Sequence, residues 1–152
     1  GAALGIKLAL PDRQVCCMVG DGAVMFGQFE SLWTAARHEI PVIFVVFNNR
    51  SYNETRVRHL SGGGKMAQQK KDLVNYLGNP DVAFADAAKA FGVKAELVKE
   101  PSDVKAAIKR AVAATREGKP YLLDVLMERT GPLAESTWYP KVSVAEMRQK
   151  KV

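Results

Sequence analysis

The sequence predicts an α/β domain with a doubly wound, mostly parallel sheet and helices on both faces. Two apolar runs rich in β-branched residues, "QVCCMV" (14–19) and "VIFVVF" (42–47), have the pattern of strands buried on both faces of a parallel sheet. Between them Phe29, Leu32, Trp33 and Ala36 fall at i, i+3, i+4 and i+7, the stripe of an amphipathic helix, which puts Trp33 on the core side. Helix and strand patterns alternate again in the second half, which favours an open sheet.

In chain order, "GAALGIKLAL" reads as the end of a helix that lacks its own cap or entry turn, so the chain is expected to be a piece of something longer. It does not read as a signal peptide, because no small-residue cleavage site follows. After the first βαβ unit, "DVAFADAAKAFG" predicts a helix closed by Gly92, and "KAELV" predicts a short strand. Residues 102–117 predict a helix capped by Ser102 and stopped by Gly118, with Val104, Ala107, Ile108, Ala111 and Val112 on its packed face. "YLLDVLM" predicts another buried strand. Residues 61–80 are polar and glycine-rich, a loop with at most one helical turn. The expected organisation is one domain over 1–127 and a tail over 128–152.

With 152 residues, 47% of them apolar, the chain can bury one substantial core. No apolar run is long enough to span a membrane. The net charge of +6 comes from scattered lysines and arginines without an aromatic-interleaved basic motif, so nucleic acid is not an expected partner. Cys16 and Cys17 are neighbours on a strand and face opposite ways. They read as reduced core thiols of a cytoplasmic protein. His38 and His59 lie on polar segments without a metal-like spacing, and Arg56 and Arg58 read equally as a solvated face or as contacts for a substrate carboxylate.

One stretch carries chemistry. The first strand runs into "GDGAVMFG", a glycine turn entering a helix, as phosphate-binding loops do, yet Asp21 stands between the glycines. Ligands of open α/β sheets bind beyond the carboxyl ends of the strands, where the second strand ends in Asn48 and Asn49. A carboxylate and an amide oxygen suit Mg²⁺ or Ca²⁺, and Mg²⁺ usually takes one or two protein groups and completes its shell with phosphate oxygens and water. Asp21 can therefore meet a phosphate through a cation. A dinucleotide-binding module is the competing reading, but the third glycine, Gly27, comes late and no acid ends the second strand.

"GDG", twenty-five intervening residues (Ala23 to Phe47) and "NN" resemble the cofactor motif of the thiamine diphosphate-dependent enzymes, such as acetolactate synthase and benzoylformate decarboxylase. The resemblance extends through "ALGIKLALPDRQV", "SLWTAARHEIPVIFVVFNN", "NNRSYNETR" and "GKPYLLDV". It implies Asp21, Asn49 and the Ser51 carbonyl as Mg²⁺ ligands. It also implies Gly20, Gly22 and Ala23 lining the diphosphate, with Tyr52 beside it and Thr55 toward the substrate. Alanine at 23, where the family often has serine, leaves only a backbone N–H there. The resemblance further implies a 2-oxo acid or similar carbonyl substrate, and decarboxylase or carboligase chemistry in a homo-oligomer. No catalytic residue is assigned within this chain, because the family's activating glutamate belongs to another domain or a partner subunit. The chain alone is expected to be inactive. A separately encoded small subunit of a two-chain decarboxylase is the alternative. Trp138 and Tyr139, in the tail, carry no assignment.

Overall fold

A computed structural model describes residues 1–27, 29–69 and 74–130. In chain order the elements are α1 (Ala2–Ala9), β1 (Val15–Gly20), α2 (Asp21–Met25), α3 (Ser31–Arg37), β2 (Val42–Asn48), α4 (Asn53–Ser61) and α5 (Lys65–Gln69). They are followed by α6 (Phe84–Ala90), β3 (Lys94–Val98), a 3₁₀ turn (Pro101–Asp103), α7 (Val104–Arg116) and β4 (Tyr121–Leu126). The chain forms two compact units. One comprises Gly1–Ser51 and Leu77–Met127, and the other takes in Tyr52–Tyr76 and the described residues after Met127.

The first unit is the α/β sheet. Its strand order is β1-β2-β4-β3, and all three pairings are parallel. On one face Leu4, Leu32, Ala35, Phe84, Ala88 and Val93 pack onto Val15, Val42, Phe44, Val46 and Leu122. On the other, Ala107 and Ala111 of α7 pack onto Ile43, Val98 and Leu123. The predicted architecture, with helices on both faces, is the one observed.

Several local expectations are corrected. β1 is not buried on both faces: it is an edge strand among the described elements, and α7 packs mainly on the other three. Cys16 and Met18 share a face with Ile43 and Val45 but lie beyond that helix, so Cys16 is exposed and Met18 is 69% exposed. An apolar run does not reveal whether its strand lies at an edge. Cys16 is consequently not a core thiol, although both cysteines are free.

The helix expected after β1 is two helices, α2 and α3, separated at Gly27, whose φ of 121° is a conformation that side chains resist. Phe29 precedes α3 and still reaches the core, with its ring centroid 5.6 Å from Phe91 and 6.2 Å from Phe84. α3 buries Leu32 and Ala35, which turns Trp33 outward at 50% exposure, with the Arg37 guanidinium 5.3 Å from its ring.

α7 begins at Val104. Ser102 lies in the preceding 3₁₀ turn and makes no side-chain cap. The packed face of α7 holds Ala107, Ala111, Ala114 and Thr115, leaving Ile108 46% exposed. Gly92 and Gly118 do close their helices in left-handed backbone, φ 84° and 80°.

In the second unit α4 runs to Ser61, and α5 is the helical turn expected in the polar stretch. The Tyr52 N–H donates to the Asn75 carbonyl at 2.8 Å, and its carbonyl accepts from the Arg56 N–H at 2.9 Å. Trp138 and Tyr139 lie outside the described residues.

Candidate metal and diphosphate site

β1 and β2 are adjacent and in register, with Gly20 opposite Phe47, so both chains leave the sheet at the same edge. Asp21 opens α2 directly after β1 and is 3% exposed. Its Oδ1 accepts the Gly22 N–H at 2.8 Å and its Oδ2 accepts the Ser51 N–H at 3.1 Å. Burial raises the Asp21 pKa above the ordinary carboxyl value, and the backbone N–H groups of Gly22, Ser51, Arg50 and Asn49 oppose that rise.

After β2 the chain makes two consecutive side-chain-supported turns. Asn48 Oδ1 accepts the Arg50 N–H at 3.2 Å, and Asn49 Oδ1 accepts the Ser51 N–H at 3.0 Å. Arg50 between them is left-handed, with φ 55°. The Ser51 N–H is therefore shared by Asp21 and Asn49, and an oxygen of each lies within 3.1 Å of that one nitrogen. Two hard oxygen donors from the ends of neighbouring strands converge there.

Two observations fit an additional group at this place. The Ser51 hydroxyl oxygen is buried without a hydrogen-bond partner, an arrangement that native proteins seldom leave unexplained. Gly20 has an ordinary φ of −75°, and a Cβ there would meet nothing within 4 Å, so neither backbone nor packing calls for glycine. A side chain is missing where a ligand could lie. Among the described residues no cluster of three His, Cys, Asp or Glu side chains could hold a metal, so a cation here would lean on amide, carbonyl and phosphate oxygens.

Gly22 is buried and Ala23 exposed, one and two residues into α2. A cavity of about 220 Å³ is lined by Ala23, Val24, Cys17, Phe29, Phe44 and Leu122, among others. Tyr52 and Thr55 belong to the second unit, half-buried before α4 and exposed on it. There Arg58 pairs with Glu54 at 2.6 Å and Arg56 donates to Asn53 at 3.3 Å, while His38, in the first unit, and His59 are exposed.

Sequence reasoning missed Asp124. It lies on β4 opposite Val46 of β2, is 2% exposed, and accepts from Asn48 Nδ2 at 2.9 Å. Burial raises its pKa, opposed by the Asn48 bond and the N–H groups of Ala85 and Phe84, with the nearby Asp21 charge adding to the rise. A lone acid inside the apolar run "YLLDVLM" was the available signal, since unpaired charges are rarely buried.

Residues 1–125 match the family described as thiamine pyrophosphate enzyme, C-terminal TPP binding domain. The chain is 32% identical over 134 residues to a probable acetolactate synthase large subunit of Methanococcus aeolicus, covering 88% of this chain and 20% of that protein. It is 31% identical over 131 residues to a benzoylformate decarboxylase of Pseudomonas aeruginosa, covering 86% and 23%. A solved thiamine diphosphate-dependent 4-hydroxybenzoylformate decarboxylase of Rhodococcus jostii superposes with a TM-score of 0.68 at 33% identity, over 84% of this chain and 22% of that one. The chain spans about a fifth to a quarter of the length of these proteins.

Proposed function

The chain belongs to the thiamine pyrophosphate enzyme family, as its C-terminal TPP-binding domain, and on that premise we propose that it holds the diphosphate of thiamine diphosphate through Mg²⁺. Asp21 and Asn49 supply side-chain oxygens and Ser51 its carbonyl. Gly20, Gly22 and Ala23 line the diphosphate. The supporting observation is the Ser51 N–H shared between Asp21 and Asn49, which gathers an oxygen of each around one point. A carboxylate buried among backbone donors gains a counter-charge when a divalent cation arrives, and so does the diphosphate.

In the complete protein the substrate is proposed to be a 2-oxo acid or related carbonyl compound, processed by decarboxylation or carboligation. Thiamine diphosphate supplies the carbanion-stabilising centre. This chain's residues anchor and orient the cofactor, and no general acid or base is assigned to them. The reading carries with it a cytoplasmic homo-oligomer, with the activating glutamate on another domain or subunit.

The test is Asp21→Ala in the complete polypeptide, titrated calorimetrically with Mg²⁺ and thiamine diphosphate. Binding is expected to be lost while the circular dichroism spectrum is kept. Unchanged affinity would defeat the assignment.

A further inference from the structure

We propose that Asp124 is a positioning residue for the Asn48–Ser51 turn: it holds the Asn48 amide in the one orientation that supports the backbone presenting Asn49 and Ser51 to Asp21. The inference rests on the metal site proposed above. An asparagine amide can be turned over with little change in shape, so its orientation is set by its neighbours. The carboxylate of Asp124 accepts from Asn48 Nδ2 at 2.9 Å, and an ionised carboxylate only accepts. Asn48 must therefore point its nitrogen at Asp124 and its oxygen the other way, where the Arg50 N–H lies at 3.2 Å.

That bond sits on the left-handed residue of the turn, Arg50, a conformation that side chains disfavour and that its surroundings must impose. The next N–H along, that of Ser51, is the one shared by Asp21 and Asn49. A chain of contacts thus runs from β4 through Asn48 to both proposed side-chain ligands. Asp124 also lies near the Ala85 and Phe84 N–H groups at the start of α6. A merely structural role would end there. Asn48 lies outside that contact, so substitutions at 48 separate the two roles.

With Asp124→Asn, a partner that only accepts becomes an amide that can turn its NH₂ toward Asn48, so the orientation of Asn48 is no longer fixed. Exchanging the two residues, Asn48→Asp with Asp124→Asn, restores every donor to an acceptor. The carboxylate introduced at position 48 then takes both the amide NH₂ introduced at position 124 and the Arg50 N–H.

The experiment measures Mg²⁺ affinity by calorimetry, with Mg²⁺ alone as the probe, and thermal unfolding without Mg²⁺, on the complete polypeptide. Asn48→Ala and Asp124→Asn should each weaken Mg²⁺ by about tenfold or more, as loss of a residue that orients a metal ligand does. The exchanged pair should recover wild-type affinity, which Asn48→Asp alone should not. If Asp124→Asn fails to fold, Asn48→Ala carries the test, since it leaves Asp124 itself in place. Wild-type affinity in Asn48→Ala, alongside lost binding in Asp21→Ala, would overturn the inference and spare the site. Mg²⁺ binding retained by Asp21→Ala as well would overturn both.

Discussion

Ser51 concentrates the economy of the site in one residue. Its N–H serves two acceptors while its hydroxyl, buried at 3% residue exposure, serves none. A buried hydroxyl without a partner costs about 1–3 kcal/mol of desolvation. Ser51→Ala should therefore leave the Mg²⁺-free protein as stable as wild type or stabilise it by roughly 1 kcal/mol, read from urea unfolding. A loss of stability would mean that the hydroxyl has a partner in solution.

At the scale of elements, β3 is joined to α7 by Glu96 and Arg110. The guanidinium bonds both carboxylate oxygens, at 3.0 and 2.5 Å, and the Tyr121 hydroxyl adds a third bond at 3.0 Å. The bond from Arg110 is the largest influence holding the Glu96 pKa below its ordinary value of 4.5. An acid with a lowered folded pKa stabilises the fold above the unfolded value, and that contribution disappears as the pH falls through the lowered one. Glu96→Gln should lower the urea midpoint at neutral pH, only modestly because Arg110 is half-exposed, and the gap to wild type should close in acid. A gap independent of pH would refute the ion pair's role.

Elements were largely legible in the sequence because their signals are local. The β-branched runs, Gly92 and Gly118 each mark a strand or a helix end through short-range sterics. Position within the sheet was not legible. Met18 and Val45 are both apolar residues within apolar strands, yet only tertiary neighbours decide that α7 covers one and not the other. Trp33 and Ile108 failed for the related reason that a helical stripe one residue out of phase fits the same letters. In the candidate site, the approach of Asp21 to Asn49 was legible from motif spacing. Asp124 was not, because its partner at 48 lies far from it in sequence.

Across the whole molecule, exposed apolar side chains gather toward the start of the sequence. Ile6, Leu8, Leu10, Met18 and Met25 are exposed large hydrophobics, and Phe26 is 82% exposed. β1 adds a strand edge that is unpaired among the described residues, and such edges in general invite pairing with another chain. The 152-residue chain on its own should therefore associate with increasing concentration, measured by sedimentation velocity, and Met18→Lys should reduce that association. A monomer at every concentration, in wild type and variant alike, would show that these surfaces are not adhesive.

Strand order has a temporal side. β4 is made after the other three strands, yet it lies between β2 and β3, which do not touch each other in the sheet. While a ribosome still holds residues 121–126, β3 has no partner to zip onto, and Asn48 has no carboxylate to settle against. Closure of the sheet between β2 and β3 must therefore wait until translation has passed this fourth strand.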